Sequence, residues 1–309
     1  MIPLISAFLP IWLLTTLGYL AARFALVGAD SEQVENVLGR FVFRLAMPAA
    51  LFGMLAKTDL HALANTSIVA FAVSVVATCL VGLLVSRRFF RRGLGEQAIA
   101  GMAAGYVNSA NLGIPVAVQV LGSGSFVSTV ILLQTVVVTP VILTLIDAGS
   151  GSRRLRLRDI ALLPLRNPII IASALGATCS ALHWHVPDDF ARSVALLGGA
   201  AVPTALVALG MSLHGRGKNQ GRAVETTVMV LFKVALQPTI AYLVGRFVFH
   251  LGAHDLLAIV LCAALPTAQN VFIYAREYEL PTALPRDAII FSTLLSMGSL
   301  WVVVSLLGT

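Results

Sequence analysis

The sequence predicts an all-α polytopic membrane protein of ten transmembrane helices, built as two inverted five-helix repeats with broken crossover helices 4 and 9. Three observations predict it. Of 309 residues, 58% are hydrophobic and 11% charged, and the mean hydropathy is +0.91; so few charges do not cover a water-soluble fold of this length. The chain divides into ten apolar runs of bilayer-spanning length with only short loops between them. Two of those runs carry proline beside asparagine at mid-run, a constant 155 residues apart.

The runs fall near 3–22, 37–56, 66–86, 97–121 and 125–146, then near 167–184, 190–213, 223–249, 256–275 and 284–306. No Lys or Arg precedes the first, which is long enough to span, so it reads as a helix rather than a secretory signal. Residues 1–150 make the first repeat, 151–166 a basic connector with Arg153, Arg154, Arg156 and Arg158, and 167–309 the second repeat.

Span four holds Asn108, Asn111, Gly113 and Pro115; span nine holds Pro266, Thr267 and Asn270. Proline removes a backbone donor that a helix in lipid cannot replace from water, and the amides are costly at the same depth. Both helices are therefore expected to break. At the offset of 155, Asn111 faces Pro266 and Pro115 faces Asn270. At the same offset, Ala46-Met47-Pro48-Ala49-Ala50-Leu51 aligns with Ala201-Val202-Pro203-Thr204-Ala205-Leu206. Five spans per repeat is an odd number, so the second half enters the membrane upside down relative to the first. Paired interrupted spans of this kind point to a substrate site at the midplane.

Charge sets the orientation. Loops after odd-numbered spans hold Arg23, Arg87, Arg88, Arg91, Arg92, the 153–158 cluster, Arg166, Arg216, Lys218, Arg222, Arg276 and Arg286; the opposite loops hold Lys57, Arg192 and Arg246. The positive-inside rule puts the connector in the cytoplasm and both termini outside. The net charge of +7 is accounted for by topology and calls for no nucleic-acid partner.

The second half-helices are expected to start near Pro115 and Pro266, where proline suits the first turn. Each start would expose unpaired N–H groups and the positive end of a helix dipole, a setting for an anion. Asn108, Asn111, Thr267 and Asn270 would add side-chain hydrogen bonds. The carbonyl ends of the first half-helices suit a cation equally, so geometry alone leaves the sign open. Charge favours an anion. No Asp or Glu lies near the middle of a span, whereas Arg44 and, deeper, Lys233 do, and an ionisable residue at that depth is a functional candidate.

Enzyme chemistry has no support. There is no HExxH, no intramembrane aspartate pair and no Ser–His or Cys–His set at one depth. Cys79, Cys179 and Cys262 read as small buried hydrophobes, and the histidines lie at span ends or in loops, so neither a metal nor another cofactor is expected. Gly101-Met102-Ala103-Ala104-Gly105 reads as a close helix-packing face.

The segment Asn108-Ser109-Ala110-Asn111-Leu112-Gly113-Ile114-Pro115 resembles the first crossover motif of the auxin efflux carrier family, whose bacterial members include proteins assigned as malonate transporters. The segment from Leu265-Pro266-Thr267 through Asn270 to Tyr278 resembles the second. Asn167-Pro168, Leu209 to Leu213, Lys233 with Pro238, and Ser292 to Ser296 also fit, and the similarity covers essentially the whole chain. Asn111 stands where many relatives carry an aromatic or other residue, and plant members have a longer loop than 147–166.

The resemblance implies a ten-span fold related to the bile-acid/sodium symporters. Helices 1, 2, 6 and 7 would form a scaffold, and helices 3–5 and 8–10 a transport domain moving elevator-fashion; homodimers occur in the family. The expectation is a secondary transporter of small organic anions, malonate-like or auxin-like carboxylates, in a bacterial cytoplasmic (inner) membrane. Its site would comprise Asn108, Asn111, Pro115, Pro266, Thr267, Asn270 and Lys233. The rivals are a sodium-coupled symporter of the bile-acid type, with the cation at the half-helix carbonyl ends, and a non-transporting membrane receptor or sensor.

Overall fold

The computed structural model describes residues 2–28, 30–58, 65–150, 167–214 and 222–308. The basic connector 151–166 and the loop with Arg216 and Lys218 lie outside them. The described residues are helical almost throughout, with one isolated β-bridge. Six helices are long and apolar enough to cross a membrane, and four further apolar helices are shorter.

We number the helices in chain order. They are α1 (Ile2–Arg23), α2 (Ser31–Leu55), α3 (Thr66–Arg88), α4a (Leu94–Gly105), α4b (Ser109–Leu121) and α5 (Ser125–Gly149). The second half holds α6 (Pro168–Ala181), α7 (Asp188–Met211), α8 (Ala223–Val248), α9a (Ala253–Ala263), α9b (Asn270–Glu277) and α10 (Ala283–Leu307).

Helix α2 starts six residues before the apolar run that announced it. Asp30 caps it, its Oδ1 accepting the N–H groups of Glu32 at 3.1 Å and Gln33 at 3.0 Å, which supplies two of the donors a helix start leaves orphaned. The added turns are amphipathic, so hydropathy alone passes over them. Arg44, placed inside the apolar run by the sequence, is not buried in the protein. Its side chain is 61% exposed and pairs with Glu277 at 2.8 Å.

Four prolines share one local device. Pro48, Pro115, Pro140 and Pro238 each follow a five-residue π-turn, at Val42–Ala46, Ser109–Gly113, Gln134–Val138 and Phe232–Leu236. In each case the residue before the proline donates five residues back: Met47 to Val42, Ile114 to Ser109, Thr139 to Gln134 and Gln237 to Phe232. A proline ring clashes with the carbonyl four residues before it and offers no N–H. Widening the preceding turn relieves the clash and keeps the helix continuous. Pro115 therefore shapes α4b without breaking it. The break in span four lies earlier, at Tyr106–Asn108, and in span nine between Ala263 and Asn270.

The helices pack mainly in two groups. Helix α1 lies along the second part of α7, while α2 packs on α6 and the first part of α7. Helices α3, α4a, α5, α8, α9a and α10 pack mainly on one another. Close approach within each group depends on glycine. A Cβ on Gly18 would run into the Val207 carbonyl and one on Gly210 into the Thr15 carbonyl, so α1 and α7 touch backbone to backbone. On the other side, a Cβ on Gly101 would stand 2.6 Å from the Cys79 carbonyl, and one on Gly105 would strike the Cys79 sulfur. Small residues at membrane helix contacts let backbones approach and gain dispersion where no hydrophobic effect drives association.

Candidate functional site

The two interruptions meet. Val107 and Thr267 form an antiparallel bridge, with the Asn108 N–H donating to the Pro266 carbonyl at 2.8 Å and the Ala268 N–H to the Tyr106 carbonyl at 3.2 Å. The paired residues are 267 − 107 = 160 apart, so the crossing is in register five residues later than the sequence offset of 155. The proline–asparagine coincidence marks the two segments but not their partners. Pro266 fits because its position in the bridge uses only its carbonyl.

Buried side chains complete the crossing. Thr267 Oγ1 donates to the Ala103 carbonyl at 2.7 Å, and the Thr267 N–H donates to Ser292 Oγ of α10 at 3.0 Å. Gln134, in the π-turn of α5, accepts from Ser109 Oγ at 2.6 Å and donates through Nε2 to the Val107 carbonyl at 3.1 Å. The Tyr106 hydroxyl lies 2.9 Å from Thr139 Oγ1. These groups pay the hydrogen-bond debt of an open backbone segment inside a buried protein.

The starts of α4b and α9b are left unfilled. Among the described residues, the N–H groups of Ala110 and Asn111 on one side, and of Gln269 and Asn270 on the other, have no acceptor. All four residues line one cavity of about 140 Å³, together with Asn108, Ser109, Tyr106, Gln134 and Thr135. Its opposite wall comes from α2 and α7, through Met47, Ala50, Leu51, Met54, Ala201, Val202 and Ala205. No protein group among the described residues bonds the side-chain amides of Asn108 or Asn111, and the buried Gln269 Oε1 has no partner. Two helix N-termini with free donors therefore face one small, partly apolar chamber.

The sequence-expected residues separate into two sets. Asn108, Asn111 and Asn270 line the chamber. Pro115, Pro266, Thr267 and Lys233 do not: Pro115 shapes the first turns of α4b, while Pro266 and Thr267 are consumed in the bridge. Lys233 is fully buried at the carbonyl ends of α4a and α9a. Its Nζ donates to Gln237 Oε1 and, at 3.0 Å, to the Ala263 carbonyl, while Gln237 Nε2 donates to the Gly105 carbonyl at 2.9 Å. Gln134 and Gln269 also line the chamber and are not among the sequence-expected residues. An amide inside the apolar run of α5 was the available signal for Gln134.

No group of three or more metal-ligating side chains occurs among the described residues. His183 and His185 lie in the loop between α6 and α7.

A family model described as "Membrane transport protein" matches residues 3–304. A protein of Rhizobium meliloti (strain 1021), named as a candidate malonate transporter, is 28% identical over 301 residues, 94% of this chain and 92% of its own. An uncharacterized transporter of Methanothermobacter thermautotrophicus is 29% identical, covering 96% of both chains. Auxin efflux carrier component 8 of Arabidopsis thaliana is 20% identical, covering 95% of this chain and 94% of its own.

Proposed function

The chain belongs to the auxin efflux carrier family of membrane transport proteins, and from that premise we propose that it is a secondary transporter of small organic anions, carboxylates of the malonate or auxin kind. The observation that carries the anion reading is the chamber at the crossing, where four unpaired backbone N–H groups and the amides of Asn108, Asn111 and Asn270 converge. Helix N-termini bind carboxylates and phosphates through such donors and their dipole ends. Ligand pockets for drug-sized molecules occupy roughly 300–1,000 Å³; a chamber of about 140 Å³ favours a compact carboxylate. Lys233 acts on that anion only at a distance, from the carbonyl side of the crossing.

The two packing groups support an elevator reading. Helices α1, α2, α6 and α7 form the scaffold; α3–α5 and α8–α10 form the transport domain that carries the crossing past it. The repeats of 1–150 and 167–309 are inverted, with both termini outside a bacterial inner membrane, in a protein that works as a homodimer. Cytoplasmic closure comes from α9b. Arg44 of α2 pairs with Glu277, Arg276 pairs with Glu35 of α2 at 3.3 Å, and Asn167 donates to the Tyr278 hydroxyl at 3.0 Å.

Uptake of a labelled mono- and dicarboxylate panel into proteoliposomes, with and without proton and sodium gradients, tests the proposal. Saturable uptake of at least one small carboxylate, with its affinity weakened on changing Asn111 or Asn270 to Ala, is the expected result. Uptake confined to cations or neutral solutes would overturn it.

A further inference from the structure

A membrane helix meets lipid through the face that no other helix covers, and on α3 that face can be followed residue by residue. Val73, Val76, Leu80 and Leu84 are exposed, whereas Ser74, Val75, Thr78 and Gly82 are packed inside. Steps of three and four residues keep the exposed side chains on one stripe of the helix. The next step along it reaches Arg87 and Arg88, which are exposed as well. The stripe is apolar throughout and then turns cationic at the helix end.

The turn after α3 adds a third guanidinium. Arg91 has a φ of +53°, in the left-handed region that a long side chain seldom occupies. Leu84, Val85, Arg87, Arg88, Phe89 and Arg91 together line a groove of about 630 Å³. Arg92, the next residue, is engaged elsewhere, its Nε donating to Glu225 Oε2 at 2.9 Å. Glu225 also accepts from Ser86 Oγ at 2.8 Å, and Glu96 is paired with Arg222. Those two carboxylates are thus committed, and among the described residues none pairs with Arg87, Arg88 or Arg91. Three like charges around one groove repel one another unless an anion enters it. The positive-inside rule explains on which side of a membrane such cations fall. It does not gather three of them around one groove at the end of an apolar stripe.

We propose that this groove binds the headgroup of an anionic phospholipid, with an acyl chain lying along the exposed stripe of α3. Guanidinium groups pair with phosphate through parallel N–H donors, and basic residues at a membrane surface attract anionic lipids. Leu84 and Phe89 supply the apolar part of the groove, where the chain leaves the headgroup. A soluble phosphate or an acidic peptide would use the arginines and leave the stripe idle. Ser86 and Arg92 adjoin the groove and hold Glu225 of α8, so the bound lipid supports the junction of α3 with α8. The inference goes beyond the transport reading and does not depend on which solute is carried.

The test titrates the purified full chain, in neutral detergent, with phosphatidylglycerol or phosphatidylcholine of equal chain length. Thermal unfolding reads stability, and native mass spectrometry counts retained lipid. Wild type should show a saturable rise in melting temperature and one retained lipid with phosphatidylglycerol, and neither with phosphatidylcholine. In Arg87→Gln/Arg88→Gln/Arg91→Gln the apparent affinity for phosphatidylglycerol should fall roughly a hundredfold, at about a factor of five for each cation near the surface. The changed side chains are exposed, so this variant should melt as wild type does in detergent alone. Arg23→Gln/Arg40→Gln, which removes exposed charges from α1 and α2, should bind phosphatidylglycerol as wild type does. Glycerophosphoglycerol, the same headgroup without acyl chains, should have no effect at these concentrations. Equal affinity of wild type for the two lipids overturns the proposal, as does a triple variant that keeps its affinity. So does an equal loss in the Arg23/Arg40 variant, which would mark general surface charge, or equal binding of the soluble headgroup, which would mark an ion site without a lipid.

Discussion

The Asn108 N–H donates to the carbonyl of Pro266 at 2.8 Å, joining residues 158 positions apart in the buried interior. The reciprocal bond from Ala268 to the Tyr106 carbonyl makes the two interruptions brace each other. Thr267, at the centre, is held on both sides, by Ser292 through its N–H and by Ala103 through its hydroxyl. The crossing is thus a fixed joint, and the free donors of α4b and α9b are presented in a set geometry rather than by mobile loops.

Removing one brace should weaken the joint measurably. Ser292→Ala leaves the buried Thr267 N–H without its acceptor, and an orphaned buried donor costs about 1–3 kcal/mol. In a chain of this size the melting temperature should fall by roughly 2–5 °C. An unchanged melting curve would mean that another oxygen takes over the Thr267 donor.

Much of this was legible in the sequence because membrane helices obey strong rules. The apolar runs located the helices to within a few residues, except where α2 begins with the polar turns after Asp30. Composition and the proline–asparagine pairs found both interrupted segments. Their register was not legible: prolines suggested the breaks, whereas glycine packing at Gly105, the Val107–Thr267 bridge and the Gln134 contacts determine where they fall. Pro48, Pro115, Pro140 and Pro238 all leave helices continuous through π-turns, which no local pattern announces. Lys233 was visible as a buried cation, but not its partner, because backbone carbonyls have no letter in a sequence.

The proposed cytoplasmic closure by α9b gives a prediction that distinguishes two ion pairs by burial. Arg44–Glu277 is solvated on the arginine side, whereas Arg276–Glu35 leaves side chains only 9% and 4% exposed. Exposed pairs contribute about 0–1 kcal/mol, and breaking a buried one costs about 3–5 kcal/mol. With a single cysteine at Ala205 in the chamber wall, Arg276→Gln should raise labelling from the cytoplasmic side at least tenfold, and Arg44→Gln by a few-fold at most. Equal effects of the two changes would remove the closing function from Arg276.

Orientation is tested at two positions in a background without native cysteines. His185, in the loop between α6 and α7, has an 82% exposed side chain, and Ser152 belongs to the basic connector. An impermeant maleimide added to whole cells should label His185→Cys and spare Ser152→Cys; inside-out vesicles should give the reverse. Labelling of Ser152→Cys on intact cells would invert the topology and exchange the sides from which α4b and α9b approach the chamber.

The chamber itself is tested by removing side-chain donors and by adding a negative charge. Asn111→Ala and Asn270→Ala each remove a side-chain donor while leaving the backbone N–H groups in place. Hydrogen bonds to a charged acceptor contribute about 1.5–3 kcal/mol, so apparent affinity for a transported carboxylate should weaken by roughly ten- to a hundredfold. Asn111→Asp keeps the size but sets a carboxylate against the substrate, and should abolish carboxylate binding. Melting temperatures should change far less than affinity in the two Asn111 variants, because the Asn111 amide bonds no protein group among the described residues. If Asn111→Asp still transports a carboxylate with wild-type affinity, the anion does not pass through this chamber, and the free donors of α4b and α9b have some other ligand.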